Sequence, residues 1–158
     1  MYLRNAKILF NKPVSVDLYH MGLQCPDIAA KIQPGQFLMV RIQDRLDPLL
    51  RRPFAIHRLY PNDPPGSFEM LYKVVGRGTE LLTNMQGGDS VNLLGPLGRG
   101  FRLPEKKGSV LMVAGGIGIA PLPFLAENLG SSGCKGPFVL WFGGKTSADL
   151  VCVQHFND

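Results

Sequence analysis

The sequence predicts a two-part fold: an antiparallel six-stranded β-barrel over residues 1–103, then an incomplete parallel α/β lobe over residues 104–158. Three observations predict it. The 19 glycines and 13 prolines are spread along the chain, which suits many short strands joined by turns and not a helical bundle. Short runs alternating apolar and polar residues recur through the first two thirds of the chain. From Gly108 the pattern changes to unbroken apolar runs that end in glycines and lead into helical segments, the grammar of a parallel sheet.

In chain order, AKILFNKPVSVDLYHMGLQ (6–24) alternates through Val14, Val16 and Leu18, which predicts antiparallel strands with one buried face. After a Pro34-Gly35 turn, Phe37, Met39 and Arg41 fall on one strand face and Leu38, Val40 and Ile42 on the other. DRLDPLL is a loop. RRPFAIHRLY (51–60) reads as one strand, with Pro53 marking an edge or an opened ladder. Gly66 to Val75 forms the next strand, followed by a short helix from Thr79, or just before it, to Met85. Gly87-Gly88 ends that helix, and DSVNLLG is a further strand.

In the second part, Val110 to Ala114 reads as a buried strand, then come a glycine turn and a helix beginning near Pro121. Pro137 to Thr146 is a second buried strand, and SADLV starts a second helix. Too few residues follow Pro104 for the roughly five or six strands of a doubly wound nucleotide domain. The chain therefore reads as the front part of a longer protein, with a naturally short protein as the alternative.

Composition narrows the function. A hydrophobic content of 45% is ample for a core. No stretch approaches the ~18 apolar residues of a membrane span. The start MYLRNAKILF lacks the pattern of a signal peptide, so the expected location is the cytoplasm. The net charge of +5 comes from scattered residues without a Lys/Arg tract, which argues against nucleic acid. Arg41, Arg45, Arg51, Arg52 and Arg58 lie in one region; they suit an anionic cofactor, an acidic partner or a solvated basic face. Cys25, Cys134 and Cys152 are far apart and odd in number, so free thiols in a reducing compartment are expected and no zinc or iron–sulfur site in these residues. His20, His57 and His155 show no metal or triad pattern.

Three stretches carry chemistry. Arg52, Pro53, Phe54 and Ala55 place a cationic fork, a fixed φ, an aromatic ring and a small residue in succession. Arg52 and Phe54 can share a strand face, the guanidinium on a pyrophosphate and the ring on a flat heterocycle, unless Phe54 serves the core. Further on, Gly76 and Gly78 of GRGT allow backbone N–H groups to approach an anion at a helix start, with Thr79 closing the turn and Leu71, Tyr72 and Lys73 leading into it. The first order suits a flavin nucleotide, and together the two pieces describe a clamp on a dinucleotide phosphate. In VAGGIGIAP, Gly115, Gly116, Ile117, Gly118 and Pro121 link strand to helix as a second phosphate-binding turn needs. The acid expected ~20 residues beyond such a turn is missing; the first acid after Glu127 is Asp149. GGKT (143–146) ends the second strand, where Lys145 either meets a 2′-phosphate or is solvated, so NADH against NADPH stays open. A P-loop is excluded because Val139 stands where its first glycine belongs.

The order RPFA, GRGT, GPLGRGF, VAGGIGIAP resembles the ferredoxin-NADP reductase superfamily. Within it, Arg51-Arg52 and LYKVVGRGTELL are most similar to the electron-transfer subunit of the two-subunit, NAD-linked dihydroorotate dehydrogenase. The resemblance implies an FAD-binding barrel holding FAD through Arg52 to Ala55, Leu71 to Lys73, Gly76, Gly78 and Thr79. It implies NAD(H) at Gly115 to Gly118 and Pro121, and a [2Fe-2S] centre in a C-terminal cysteine cluster outside these residues. It further implies an FMN-containing dihydroorotate dehydrogenase catalytic subunit as partner in a heterotetramer serving pyrimidine biosynthesis. No catalytic side chain is called for, because hydride transfer is the cofactors' own chemistry. Ala55 replaces the Ser or Thr common in the superfamily, so a backbone N–H would have to serve the flavin N5 edge. Reductase subunits for sulfite reductase, hydrogenase or bifurcating ferredoxin reductase complexes share these motifs, and a non-catalytic flavin-binding module is the reading from another class.

Overall fold

The computed structural model describes residues 1–42, 47–62, 64–103, 108–133 and 136–156. Arg45 and Cys134, singled out above, lie outside the described residues. The first part is built from β1 (Tyr2–Pro13), β2 (Leu18–Gln24), α1 (Pro26–Ala29), β3 (Phe37–Arg41), β4 (Arg52–Ala55), β5 (Arg58–Asn62), β6 (Pro65–Lys73), α2 (Arg77–Thr83) and β7 (Ser90–Leu97). Its strands form one antiparallel sheet of seven in the order β4-β3-β7-β1-β2-β6-β5. The second part has β8 (Val110–Gly115), α3 (Leu122–Ser131) and β9 (Phe138–Gly143), with β8 and β9 parallel.

The extra strand comes from Ile56 and His57. The single strand expected over 51–60 is split there: Ile56 N–H still reaches back toward β3, to Gln36 O at 3.4 Å, whereas His57 N–H donates to Glu69 O of β6 at 2.7 Å. The chain thus changes partner in one residue, and β5 pairs with β6. That switch brings the β4 end of the sheet onto β6, where the Phe54 and Tyr72 rings meet edge to face at 5.7 Å. The rolled sheet encloses a core that includes Ala6, Ile8, Met21, Leu38, Val40, Phe68, Met70 and Leu93, each fully buried. Leu38, Val40 and Ile42 point inward from the β3 segment as the alternation predicts.

Other expectations shift locally. Val14 and Val16 lie in the β1–β2 turn, closed by Val14 N–H on Leu18 O, and Val16 is 96% exposed. α1, a single turn with Pro26 at its start, was not foreseen because it is too short to show a period. α2 begins at Arg77, just before Thr79 as expected, with the Thr79 hydroxyl organising the turn ahead of it, and ends at Thr83, short of Met85. Gly88 (φ +100°) turns the chain into β7, and its N–H donates to Ile8 O at 2.8 Å. Gly87 runs so close to β1 that a Cβ would meet Leu9 O at 2.8 Å.

In the second part, α3 covers one face of the β8–β9 pair through Met112, Ala114, Leu122, Leu125 and Leu129. The opposite face carries Leu111 and Trp141, 54% and 64% exposed, so these strands are not buried on both sides as expected. In place of a second helix at Ser147 there are two one-turn 3₁₀ segments, Ser147–Asp149 and Val153–Phe156. Among the described residues no helix is long and apolar enough to cross a membrane.

The attachment of α2 to the barrel rests on Leu82, which is fully buried. Leu82→Ala is expected to cost about 2–5 kcal/mol in urea denaturation, whereas Glu80→Ala, at an exposed position of the same helix, should change stability by less than about 0.5 kcal/mol.

Candidate functional site

Arg52 and the GRGT turn meet although a loop, two strands and a hairpin separate them in sequence. A Cβ placed on Gly78 would lie 3.1 Å from Arg52 Nε and 3.3 Å from Ile42 Cδ1, so a side chain here would press on the guanidinium that the helix start now approaches. Arg52 Nη1 donates to Leu50 O at 2.6 Å, which fixes the side chain. Gly76 has open space around its missing side chain. The Thr79 hydroxyl accepts from Val75 N–H (2.9 Å) and Gly76 N–H (3.2 Å) and donates to Gly76 O (2.8 Å). The first-turn N–H groups of a helix have no partner within it; here they stand beside a cation, a combination that selects an anion. Arg51, by contrast, is bound to Met39 O and Asn92 and ties β3 to β7, so the doubled arginine divides into a brace and a half-buried fork beside the GRGT turn.

The far end of α2 is held by Asn11 of β1, whose Nδ2 donates to Leu82 O (2.9 Å) and Met85 O (3.0 Å). Asn11 Oδ1 accepts from the Tyr72 hydroxyl at 3.1 Å, and burial pushes that phenol up to about 12. Tyr72 also stacks on Tyr19. Sequence reasoning missed Asn11; a polar residue at an inward position of a strand is the signal that could have found it.

The other expected site residues have these places. Phe54 is 9% exposed and belongs to the barrel core with Tyr72. Leu71, on the opposite strand face, packs against Ile119 and Ala120 of the second part. The Lys73 ammonium pairs with Asp17 at 2.8 Å, raising its pKa through that hydrogen bond. Pro53 is exposed and Ala55 half-buried beside Arg52 and Phe54 on β4.

Gly115, Gly116, Ile117, Gly118 and Pro121 form one turn: β8 ends at Gly115, Gly116 (φ +49°) opens a 3₁₀ turn, and Pro121 precedes α3. Added Cβ atoms on Gly115, Gly116 or Gly118 would meet nothing within 4 Å, so this backbone faces open space at the C-terminal ends of β8 and β9, where parallel sheets receive ligands. Beside it, Thr146 N–H donates to the Asp149 carboxylate at 2.9 Å, which lowers the Asp149 pKa. The turn is tied to the barrel by His57: its Nδ1–H donates to Ala120 O at 2.7 Å, and its carbonyl accepts from Phe124 N–H at 3.0 Å. His57 is fully buried, and burial lowers its pKa to about 4.

Around His57 the structure gathers residues that show no pattern as isolated histidines. His57, Cys152 and His155 bring their ligating atoms within 4.8 Å of one another. His20 and Glu69 stand alongside at 2.9 Å, with the His20 and His57 rings 5.4 Å apart. Cys152-x-x-His155 is a spacing that sequence reading could have noticed; the distant His57 was not legible.

The sequence matches the oxidoreductase FAD-binding domain family over residues 6–101. Among curated relatives, the electron transfer subunit of dihydroorotate dehydrogenase B (NAD(+)) from Desulforamulus reducens is 42% identical over 152 residues, covering 96% of this chain and 56% of that protein. The subunit of the same name from Shouchella clausii is 40% identical over 146 residues, with 91% and 55% covered. The chain thus spans about half the length of these relatives. A solved NADH-dependent reduced ferredoxin-NADP oxidoreductase is similar with a TM-score of 0.82 at 27% identity, over 96% of this chain and 52% of that one. A ferredoxin NADP+ reductase from Neisseria gonorrhoeae, solved with bound FAD and NADP, shares the fold with a TM-score of 0.77 at 20% identity, over 96% and 61% of the two chains.

Asn11→Ala leaves the Tyr72 hydroxyl, the Leu82 carbonyl of α2 and the Met85 carbonyl just beyond it without their partner. The expected loss is about 1–3 kcal/mol, read by urea denaturation, with faster amide exchange concentrated in α2.

Proposed function

The chain belongs to the oxidoreductase FAD-binding domain family, and from that premise we propose that it carries the flavin site and the start of the nucleotide lobe of an electron-transfer subunit that works between NAD(H) and a dihydroorotate dehydrogenase partner. Residues 1–103 are the flavin domain in this reading and residues 104–158 the first part of the nucleotide domain. The observation that carries it is the approach of Gly78 to Arg52, a cradle that a side chain at position 78 would crowd. FAD fits these residues: Arg52 and the N–H groups at the start of α2 suit its diphosphate, and Pro53 and Ala55 leave β4 low enough for a flat ring system to lie along it. When bound, FAD supplies acceptance of a hydride from a reduced nicotinamide and its onward release as single electrons.

What the chain contributes is position. The second glycine turn offers backbone to the nicotinamide nucleotide's phosphates, and His57 and Leu71 hold that turn against β6, the strand that leads into GRGT. Ala55 leaves no hydroxyl for the flavin edge, so a backbone N–H takes that role. The likeness to the two dihydroorotate dehydrogenase electron transfer subunits supports the choice of partner and of NAD(H).

Two measurements check the reading. Protein reconstituted with FAD should retain a flavin spectrum after gel filtration, and anaerobic NADH should bleach it; protein that holds no flavin overturns the proposal, and flavin that NADH never bleaches limits the chain to binding. Arg52→Ala removes a charge-assisted contact worth about 1.5–3 kcal/mol, so FAD affinity should fall roughly 10- to 150-fold. Gly78→Ala should leave α2 at least as helical yet weaken FAD binding, because the added carbon displaces Arg52.

A further inference from the structure

We infer that His57, Cys152 and His155 form a binding site for one borderline-soft divalent cation of the zinc class, which staples the segment after β9 to the barrel. Their ligand atoms already lie within 4.8 Å of one another; tetrahedral zinc needs spacings about 1 Å shorter, a closure that side-chain rotation supplies. Two imidazoles and a thiolate leave a fourth position open.

Four observations point to a ligand. His57 Nδ1–H is committed to Ala120 O, so the tautomer is set and Nε2 carries the lone pair; this is the outer-shell bond that orients metal-binding histidines. That Nε2 is buried and has no hydrogen-bond partner, in a side chain with 0% exposure. Cys152 is the only non-glycine among the described residues with a positive φ, +61°, a conformation uncommon outside glycine. It turns a buried thiol toward the two rings, and His155 N–H closes the turn on Cys152 O at 3.2 Å. Finally, His155 already presents Nδ1 to a cation, accepting from Arg58 at 3.2 Å; Arg58 keeps Glu127 at 2.6 Å when that bond yields.

The surroundings suit a divalent charge. Glu69 of β6, beside His20 of β2, and Glu127 of α3 offset Arg58 and the incoming ion. A cleft of about 500 Å³ bordered by Arg58, Glu127, His155 and Phe156 offers a way in from solvent. Binding releases the thiol proton to water as the metal–sulfur bond forms, and no electron is transferred.

The test uses the 158-residue protein after chelator treatment and gel filtration. One equivalent of Co(II) should give a thiolate-to-metal charge-transfer band with tetrahedral ligand-field bands; Zn(II) should abolish both and raise the melting temperature. Cys152→Ser should remove the charge-transfer band, and His155→Gln, at a half-buried position, should weaken Zn(II) binding by more than about tenfold, both with unchanged far-UV circular dichroism. No charge-transfer band in the unaltered protein, a band that survives Cys152→Ser, or Zn(II) affinity indifferent to His155→Gln would each overturn the site.

Discussion

One buried residue joins the two parts of this protein. His57 gives its N–H to Glu69 O, receives Phe124 N–H on its carbonyl, and donates from Nδ1 to Ala120 O. The first bond closes the rolled sheet onto β6, the second carries α3, and the third holds the end of the Gly115–Ala120 turn. With no solvent to take over, each bond lost would leave a polar group bare in a low-dielectric interior. Relative placement of the two glycine turns follows from this pin, with Leu71 packed beside it.

The first glycine turn is held in a complementary way, from both ends of a short helix. Thr79 organises the backbone ahead of α2, and Asn11 binds carbonyls at its far end while receiving the Tyr72 hydroxyl. A seven-residue helix has little stability of its own, so this bracing is what keeps its first-turn N–H groups aimed past Arg52. Arg51 adds to the rigidity by tying β3 to β7, leaving Arg52 as the member of the pair that stands beside Gly78.

Much of this was legible in the residues. The alternation of Leu38, Val40 and Ile42, the strand ahead of GRGT, and the change of pattern at Gly108 all report local periodicity, and local periodicity survives folding. The GRGT and GGIGIAP turns were legible because glycine at such points answers a backbone requirement that no other residue meets. The seventh strand was not, since a change of hydrogen-bond partner at His57 leaves no mark in hydropathy. Phe54 was ambiguous in sequence because an aromatic ring in a strand serves a core or a ligand equally well; its contact with Tyr72 places it in the core. The face of β8 and β9 that carries Leu111 and Trp141 looked like buried strand because an apolar run shows what a segment can bury and not what lies against it.

By itself, then, the order of amino acids determined the strands, the turns and the kind of ligand chemistry each turn can offer, because these depend on residues within a few positions of one another. Tertiary structure alone decided that Arg51 braces Asn92, that Asn11 grips α2, and that His57 meets Cys152 and His155. Those meetings join positions far apart in the chain, and only the closing of the sheet and the docking of the second part bring them within bonding distance.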